Sequence, residues 1–242
     1  MRLVLLNLIA FLVLPLVSYG ATLEELSAEY AKVRHEFDVA AAEELLVVFE
    51  TYLSDDDSAG AKMGFVRAAL LVAELNRLDY EKEGLKPLFK RELGKKIDAA
   101  AEKGHAVLAT VEESSERYRM TADLWGTMIR SNFQGKKHGK KMQTATDKAL
   151  ELDENNPNAH VTAAKRPLFA PEKRGGDWDK AMAHLEKALS LDPALEQAYI
   201  LRGMAHEKNG DMELARKDWE RILAMNPNSR PAVRFLEKSV AE

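Results

Sequence analysis

The most constraining feature of this sequence is a set of small, aromatic and helix-breaking residues at fixed spacing near its C-terminal end. They are Tyr199, Gly203, Gly210, Asp211, Ala215, Trp219 and Pro227. Small side chains at Gly203 and Ala215 allow two antiparallel helices to cross closely. Gly210 suits a left-handed turn between the helices, and Asp211 suits the cap of the second one. Because such a hairpin has one apolar face left over, it needs a neighbour to cover that face.

The neighbour is present in the sequence. The same spacing recurs one unit earlier, in Gly176, Asp177, Ala181, Leu185 and Pro193. Pro193 precedes Pro227 by 34 residues, and Pro157 precedes Pro193 by 36. The two additional residues belong to the connection 167–176. A weaker third unit lies further back, over 116–156. The apolar spacing is helical throughout, so the sequence predicts an all-α fold.

This 34-residue pattern resembles the tetratricopeptide repeat (TPR). The resemblance implies a TPR-like α-solenoid of antiparallel helix hairpins that binds other proteins. We assign residues 116–228 to TPR repeats and residues 21–115 to degenerate helical hairpins of the same kind. A helix over residues 229–242 is expected to cap the array, because the last repeat otherwise exposes its stacking face. Ser229 suits its N-cap, and Val233, Phe235, Leu236 and Val240 form its apolar stripe.

The N-terminal half offers local signals rather than a repeat. Thr22 and Glu25 have the spacing of a capping box at a helix start. A turn is expected near Phe37, a second connection over 55–58, and a third over 84–87. A long helix is then predicted from about Leu88 to Glu113.

Residues 1–20 read as a cleavable signal peptide. Arg2 precedes an apolar run over 3–17, and Ser18 and Gly20 suit cleavage before Ala21. The run is short for a membrane span, which needs about 20 apolar residues, although an uncleaved anchor is the alternative. The sequence has no cysteine, which excludes a lipoprotein anchor, disulfides and thiol chemistry. We therefore expect a periplasmic or secreted protein with no stable membrane insertion after cleavage.

A narrower resemblance rests on four segments, 153–159, Phe169-Ala170-Pro171, Gly175-Gly176-Asp177 and Lys180-Ala181. They are similar to exported bacterial TPR proteins such as the T component associated with TRAP transporters. This resemblance implies a non-enzymatic scaffold, auxiliary to periplasmic solute uptake, with a TRAP-type solute-binding protein as its partner.

Candidate partner-binding residues follow from the repeat register. In TPR arrays the first helices line the concave face, which places Ile200, Met204 and Glu207 there in the last repeat. The equivalent positions two units earlier are Asp123, Thr127 and Arg130. The proline-bracketed insertion 167–171 adds Leu168 and Phe169, which either contact a partner or cover the next helix.

A lysine-rich segment and a set of three histidines could each be a binding site or an ordinary structural feature. The lysine-rich segment 136–141 is expected to be an inter-helix connection, either a solvated loop or a site for an anionic ligand or acidic partner. His160, His184 and His206 fall in successive units but at different repeat positions, so we expect them on different faces and no metal site.

Other classes of function have little support. The sequence has no nucleotide-binding or hydrolase motif, so no enzyme activity and no cofactor are expected. Without residues 1–20 the net charge is −5, which disfavours nucleic acid as a partner. The alternative to a protein-interaction scaffold is a small-molecule-binding protein that uses the groove or pore of the array. Self-association is left open.

Overall fold

The computed structural model describes residues 21–82 and 84–241, and the predicted signal peptide lies outside this part of the chain. Within it, every regular element is a helix. The α-helices are α1 (Leu23–Glu36), α2 (Val39–Asp55), α3 (Ala59–Tyr80), α4 (Pro87–Leu108), α5 (Ser115–Thr127), α6 (Asn132–Leu152), α7 (Pro157–Phe169), α8 (Trp178–Leu191), α9 (Glu196–Asn209), α10 (Met212–Met225) and α11 (Arg230–Ala241). A short 3-10 turn, Glu172–Arg174, lies between α7 and α8. The predicted all-α fold of packed helix hairpins is confirmed.

The described chain divides into two compact units. Unit 1 contains residues 21–112 and 124–132, and unit 2 contains residues 113–123 and 133–241. The division falls inside helix α5 rather than at a linker. No helix in the described ranges is both long and apolar enough to cross a membrane.

Unit 1 begins with helices whose N-termini are capped by short polar side chains. Thr22 and Glu25 form the predicted capping box, in which the Thr22 hydroxyl accepts from the Glu25 amide and the Glu25 carboxylate accepts from the Thr22 amide. Asp38 and Ser58 cap α2 and α3 without such a box, through side-chain oxygens that accept from the amides of Ala41 and Ala61. These caps satisfy amide groups that have no partner inside the helix. The turn at Phe37 has a left-handed conformation with a φ of 54°.

The predicted end of the long helix in unit 1 is wrong by about one turn. Helix α4 ends at Leu108 and not near Glu113. From Thr110 onward the backbone bonds change to the tighter three-residue type, with the Thr110 amide donating to Val107 and the Val111 amide to Leu108. Two consecutive β-branched residues, Thr110 and Val111, favour this end because they have poor helix propensity.

Unit 2 contains the two predicted repeats, α7–α8 and α9–α10, and they pack against each other. Their shared core consists mainly of small and aliphatic side chains. Its members include Val161, Ala164, Leu168, Ala181, Leu185, Ala188, Ala198, Leu201 and Ala205. Small residues at the crossing points keep the helices close, as the repeat spacing predicted.

The turn of the last repeat confirms one prediction and corrects another. Gly210 ends α9 with a φ of 89°, the left-handed conformation for which glycine has no steric penalty. Asp211 lies at the N-cap of α10, but its side chain makes no capping hydrogen bond. It accepts instead from the side-chain amide of Asn209, at 2.7 Å. In the preceding repeat Asp177 does cap α8, by accepting from the Lys180 amide.

The lysine-rich segment 136–141 is helical, which corrects the predicted loop. It lies inside α6, and the buried face of that helix carries His138, Met142, Ala145 and Ala149. These positions are spaced by three and four residues, so the apolar period continues through the lysines. Lysine is also a good helix former, and the two glycines of α6 do not break the helix.

Helix α11 covers the end of the last repeat, as predicted for a capping helix. Phe235 stacks on Trp219 with ring centroids 5.0 Å apart, and Ala232 and Leu236 join the same apolar cluster. Val233 does not follow the predicted stripe, because its side chain is exposed. The side chain of Val240 lies outside the described residues.

The N-terminus of α11 is held by a buried serine. Ser229 directly precedes the helix, and its hydroxyl donates to Glu196 at 2.7 Å. Glu196 is in the first turn of α9, so this contact attaches the capping helix to the first helix of the last repeat.

Candidate functional site

Asp123 lies at the centre of a buried charge network in unit 2. One carboxylate oxygen accepts from Lys165 Nζ at 2.6 Å and from the Thr162 hydroxyl at 2.9 Å. The other accepts from Arg119 Nη1 at 2.7 Å, and Arg119 also makes a two-bond contact with Glu116. Thr162 and Lys165 belong to α7, so the network joins α7 to the first turns of α5.

The electrostatics of Asp123 fit this structural role. Burial alone would raise the pKa of its carboxyl, but the charges of Lys165 and Arg119, with the hydrogen bonds from Lys165 and Thr162, hold the pKa below its usual range. The carboxylate is therefore ionised, and both of its oxygens accept hydrogen bonds from protein groups. Only 4% of the residue is exposed, so Asp123 offers very little surface to a partner or a small molecule.

Thr127 and Arg130, the other two candidates of this segment, lie in unit 1 and are also tied to the protein. The buried Thr127 hydroxyl donates to the Leu124 carbonyl. Arg130 follows the end of α5 and forms a 2.7 Å ion pair with Asp98 on α4. The structure thus gives both side chains local structural contacts. Their role in partner binding stays a prediction.

The insertion 167–171 begins in the last turn of α7, and its two candidates, Leu168 and Phe169, differ in exposure. Leu168 is 2% exposed and belongs to the core of the two repeats, whereas Phe169 is 54% exposed. The two alternatives for this pair thus divide between its members. Leu168 covers the core, and Phe169 points outward. Pro167 does not stop the helix, which continues to Phe169. The Pro167 carbonyl instead accepts from the Asp177 amide at 2.9 Å, which closes the insertion.

Two side-chain hydrogen bonds attach this insertion and the start of α8 to helix α9. Lys208 Nζ donates to the Leu168 carbonyl at 2.7 Å, and Trp178 Nε1 donates to the Ala205 carbonyl at 3.1 Å. Both contacts use the C-terminal half of α9. The exposed Phe169 and the partly exposed Trp178 are therefore both held close to the same turn of that helix. Sequence reasoning missed Trp178, whose role depends on the packing of two repeats.

The three candidates on α9 differ in accessibility. Ile200 is buried in the cluster around Trp219, while Met204 and Glu207 are partly exposed. Met204 directly precedes Ala205, and Glu207 directly precedes Lys208. Both therefore belong to the turn of α9 that the insertion contacts. We call the surface formed by Phe169, Trp178, Met204, Glu207 and Lys208 the α9 edge. It brings three of the predicted residues together.

The prediction that the three histidines of unit 2 lie on different faces is wrong for two of them. His160 on α7 and His184 on α8 have their Nδ1 atoms 3.1 Å apart. His160 Nε2 lies 2.8 Å from the Glu154 carbonyl, so it carries the proton. Partial burial, together with the nearby His160 ring, lowers the pKa of His184. No group of three or more potential metal ligands occurs within residues 21–82 and 84–241.

Comparison with known families identifies the repeats. The family profile described as "TPR repeat" matches residues 173–210, and the profile described as "Tetratricopeptide repeat" matches residues 196–229. These ranges contain α8 to α10 and the turn at Gly210. The chain thus carries TPR repeats in unit 2, as the spacing predicted. No curated protein matches the sequence.

A solved structure supports the same fold. A thermophilic TPR protein of Thermus thermophilus is similar, with a TM-score of 0.57 and 16% identity over 84% of this chain and 92% of that one. YrrB, described as a TPR protein with an unusual peptide-binding site, has a TM-score of 0.40 and 16% identity over 82% of this chain and 85% of its own. The first similarity shows the fold alone, because the identity is low.

Proposed function

We propose that this chain is an exported, non-enzymatic TPR scaffold that binds a protein partner through the α9 edge and assists periplasmic solute uptake. The observation that carries the proposal is the pair of cross-repeat hydrogen bonds from Lys208 and Trp178. They hold two aromatic side chains, Phe169 and Trp178, beside partly exposed residues of a TPR first helix. TPR proteins bind protein partners, and this edge is a chemically suitable contact surface.

The composition of the α9 edge supports a protein rather than a small solute as the ligand. An exposed phenylalanine and a partly exposed tryptophan belong to the aromatic residues that are enriched at protein interfaces. Met204 adds an adaptable apolar side chain, and Glu207 and Lys208 supply a polar rim.

The alternative small-molecule groove has less support. It relied on the helix that carries Asp123, whose carboxylate is already occupied by Arg119, Lys165 and Thr162. A polar ligand would have to displace these protein groups before it could use the carboxylate. The contacts of Asp123 therefore favour the scaffold over the small-molecule binder.

Export and the transport role rest on the sequence. The apolar run before Ala21 supports export, and the segments that resemble the TRAP-associated T component support a solute-binding protein as the partner. Export is tested by fractionating cells that produce the chain and sequencing the N-terminus of the protein. A chain that remains in the cytoplasm with residues 1–20 attached contradicts this part of the proposal.

Partner binding is tested by site-specific photo-crosslinking in cells. A photoreactive phenylalanine analogue at position 169 should crosslink to one dominant protein, and we expect that protein to be a solute-binding protein. The matched control carries the same analogue in place of Leu214, an exposed apolar residue of α10 that is not part of the α9 edge. Equal crosslinking patterns from the two positions would reject the α9 edge as the binding surface.

The energetic contribution is tested separately by substitution. Phe169→Ser should weaken binding of the identified partner about 10-fold or more, as expected for an aromatic anchor. Its thermal melt should stay close to that of the parent, because the side chain is exposed. Leu214→Ser provides the comparison. Unchanged partner affinity in Phe169→Ser is the result that removes the α9 edge from the proposal.

A further inference from the structure

Helix α6 presents a basic face with an exposed aromatic residue at its start. The face consists of Phe133, Lys136, Lys137 and Lys140, whose successive intervals of three, one and three residues place them on one side of the helix. Phe133 is 75% exposed and is the most exposed large apolar side chain in the described part of the chain. The three lysines are exposed as well.

The orientation of this face is fixed by the opposite side of the helix. His138, Met142, Ala145 and Ala149 are buried there, about half a turn away from Phe133. Rotating α6 to cover Phe133 would expose these residues, so the phenylalanine and lysines are held outward. A Cβ placed on Gly139, beside this face, meets no other atom within 4 Å. This stretch of the helix surface is therefore open.

The charge of this surface is not neutralised locally. Lys136, Lys137 and Lys140 form no salt bridge within the described residues. The acidic residues Asp147 and Glu151 follow in the second half of the helix, where Glu151 is paired with Lys148 at 2.9 Å. The basic face is thus confined to the first half of α6.

Basic groups continue from α6 onto the neighbouring insertion. Arg166 Nη1 donates to Gln143 Oε1 at 3.0 Å, about one turn after Lys140, and Arg166 also donates to the Arg174 carbonyl. Arg174 and the adjacent Lys173 are exposed. Basic side chains thus also lie beside the first half of α6, next to the exposed Glu172, in a chain whose formal net charge is −4.

We infer that the first half of α6 is a docking face for an anionic lipid bilayer, which it binds peripherally and reversibly. Lysines near an anionic membrane surface attract its headgroups, and an exposed aromatic residue on the same face enters the boundary between headgroups and acyl chains. Lysines together with an aromatic ring on one helix face match the composition of helices that bind membrane surfaces, which favours a lipid bilayer as the partner.

The test is co-sedimentation with lipid vesicles of defined composition. The protein beginning at Ala21 is used, because the apolar run before it would enter a bilayer by itself. Its circular dichroism spectrum and thermal melt establish that it is folded. We expect binding to vesicles that contain about 30% phosphatidylglycerol, no binding to pure phosphatidylcholine, and weaker binding as salt is raised.

Variants then assign the binding to this face. The triple substitution Lys136→Gln, Lys137→Gln and Lys140→Gln should weaken binding about 100-fold, at about fivefold for each lysine near an anionic surface. Phe133→Ser should also weaken it, by about 10-fold, through loss of the inserted ring.

The matched controls remove three lysine charges, or one exposed apolar side chain, from other surfaces of unit 2. The triple substitution Lys180→Gln, Lys187→Gln and Lys217→Gln removes the same charge from exposed positions, and Leu214→Ser removes an exposed apolar side chain. Both controls should bind like the parent.

Each contrary result has a definite meaning. Absence of binding to anionic vesicles overturns the inference, and so does binding that the α6 variants and the controls reduce equally. A loss in the lysine variant with no change in Phe133→Ser overturns the insertion of the ring, because the vesicles are then bound by charge alone. A salt-sensitive rise in mass without vesicles, measured by light scattering, overturns it in favour of self-association.

Discussion

The closest helix crossing in the last repeat gives a prediction with a built-in control. A Cβ placed on Gly203 would overlap the indole nitrogen of Trp219 and lie 2.8 Å from its Cδ1. Trp219 is 1% exposed and is stacked on Phe235, so it has no room to move away. Gly203→Ala therefore forces the two helices apart, at an expected cost of about 1–3 kcal/mol for overpacking.

The control is Gly139→Ala, at a helix-interior glycine where an added Cβ meets nothing. Both substitutions gain about 1 kcal/mol from the higher helix propensity of alanine. Only Gly203→Ala carries the overpacking cost, so it should be about 1–3 kcal/mol less stable than Gly139→Ala. At about 2–4 °C for each kcal/mol in a chain of this size, the two melting temperatures should differ by several degrees.

The assay is thermal and urea unfolding of both variants, followed by circular dichroism and by tryptophan fluorescence. Comparing two glycine-to-alanine variants removes the effect of glycine on the unfolded chain, which is the same in both. If Gly203→Ala is as stable as Gly139→Ala, the helices do not cross at this distance and the reasoning from the repeat register fails.

Four further predictions concern unit 2. Asp123→Asn should lower stability by about 3–5 kcal/mol at neutral pH, because it leaves the Lys165 ammonium without its carboxylate partner. Since the pKa of Asp123 is lowered on folding, its contribution to stability is present above the unfolded pKa of about 3.9 and is lost as pH falls through the folded pKa. In urea unfolding between about pH 3 and 7, the stability of the variant should therefore fall less steeply with acid than that of the parent. Leu168→Ala should lower stability by about 2–5 kcal/mol, whereas Phe169→Ala should change it by less than about 0.5 kcal/mol, and similar melts for the two would contradict their different burial. Because the pKa of His184 is lowered on folding, the parent should lose stability as pH falls below the unfolded pKa of about 6.5. His184→Gln should remove part of that loss, which thermal melts between about pH 5 and 8 would measure. Deleting residues 229–242 should lower the melting temperature and promote aggregation, and a truncated protein that is monodisperse and equally stable would show that α11 is not a cap.

The parts of the fold that depend on local chemistry could be predicted from the sequence. The capping box at Thr22 and the left-handed turn at Gly210 depend on residues a few positions apart, and the close crossing at Gly203 joins two helices of one repeat. The lysine segment of α6 was predicted wrongly because its charge and glycines suggested a loop. The buried period that begins at His138 was the stronger signal, and it extends beyond the segment itself.

The candidate site was predictable only in part. The helix register identified Met204 and Glu207, but it did not reveal that Asp123 would be occupied by an ion pair with Lys165, 42 positions away. The meeting of His160 and His184 also depends on how α7 and α8 rotate against each other, and a repeat position does not specify that rotation. Partners that are distant in sequence are set by tertiary packing, for which one sequence carries no direct signal.

The two hydrogen bonds that join the insertion and α8 to α9 differ in kind from an ion pair between side chains. In each, a side chain of one repeat donates to a main-chain carbonyl of the other. The hydrogen bond therefore does not depend on which side chain the accepting residue carries. Leu168 and Ala205 can be replaced during divergence without loss of an acceptor, and only Trp178 and Lys208 need to be retained as donors. The hydrogen bonds that set the register between the two repeats are therefore encoded on one side of each contact, and a substitution at the accepting position leaves the bond in place.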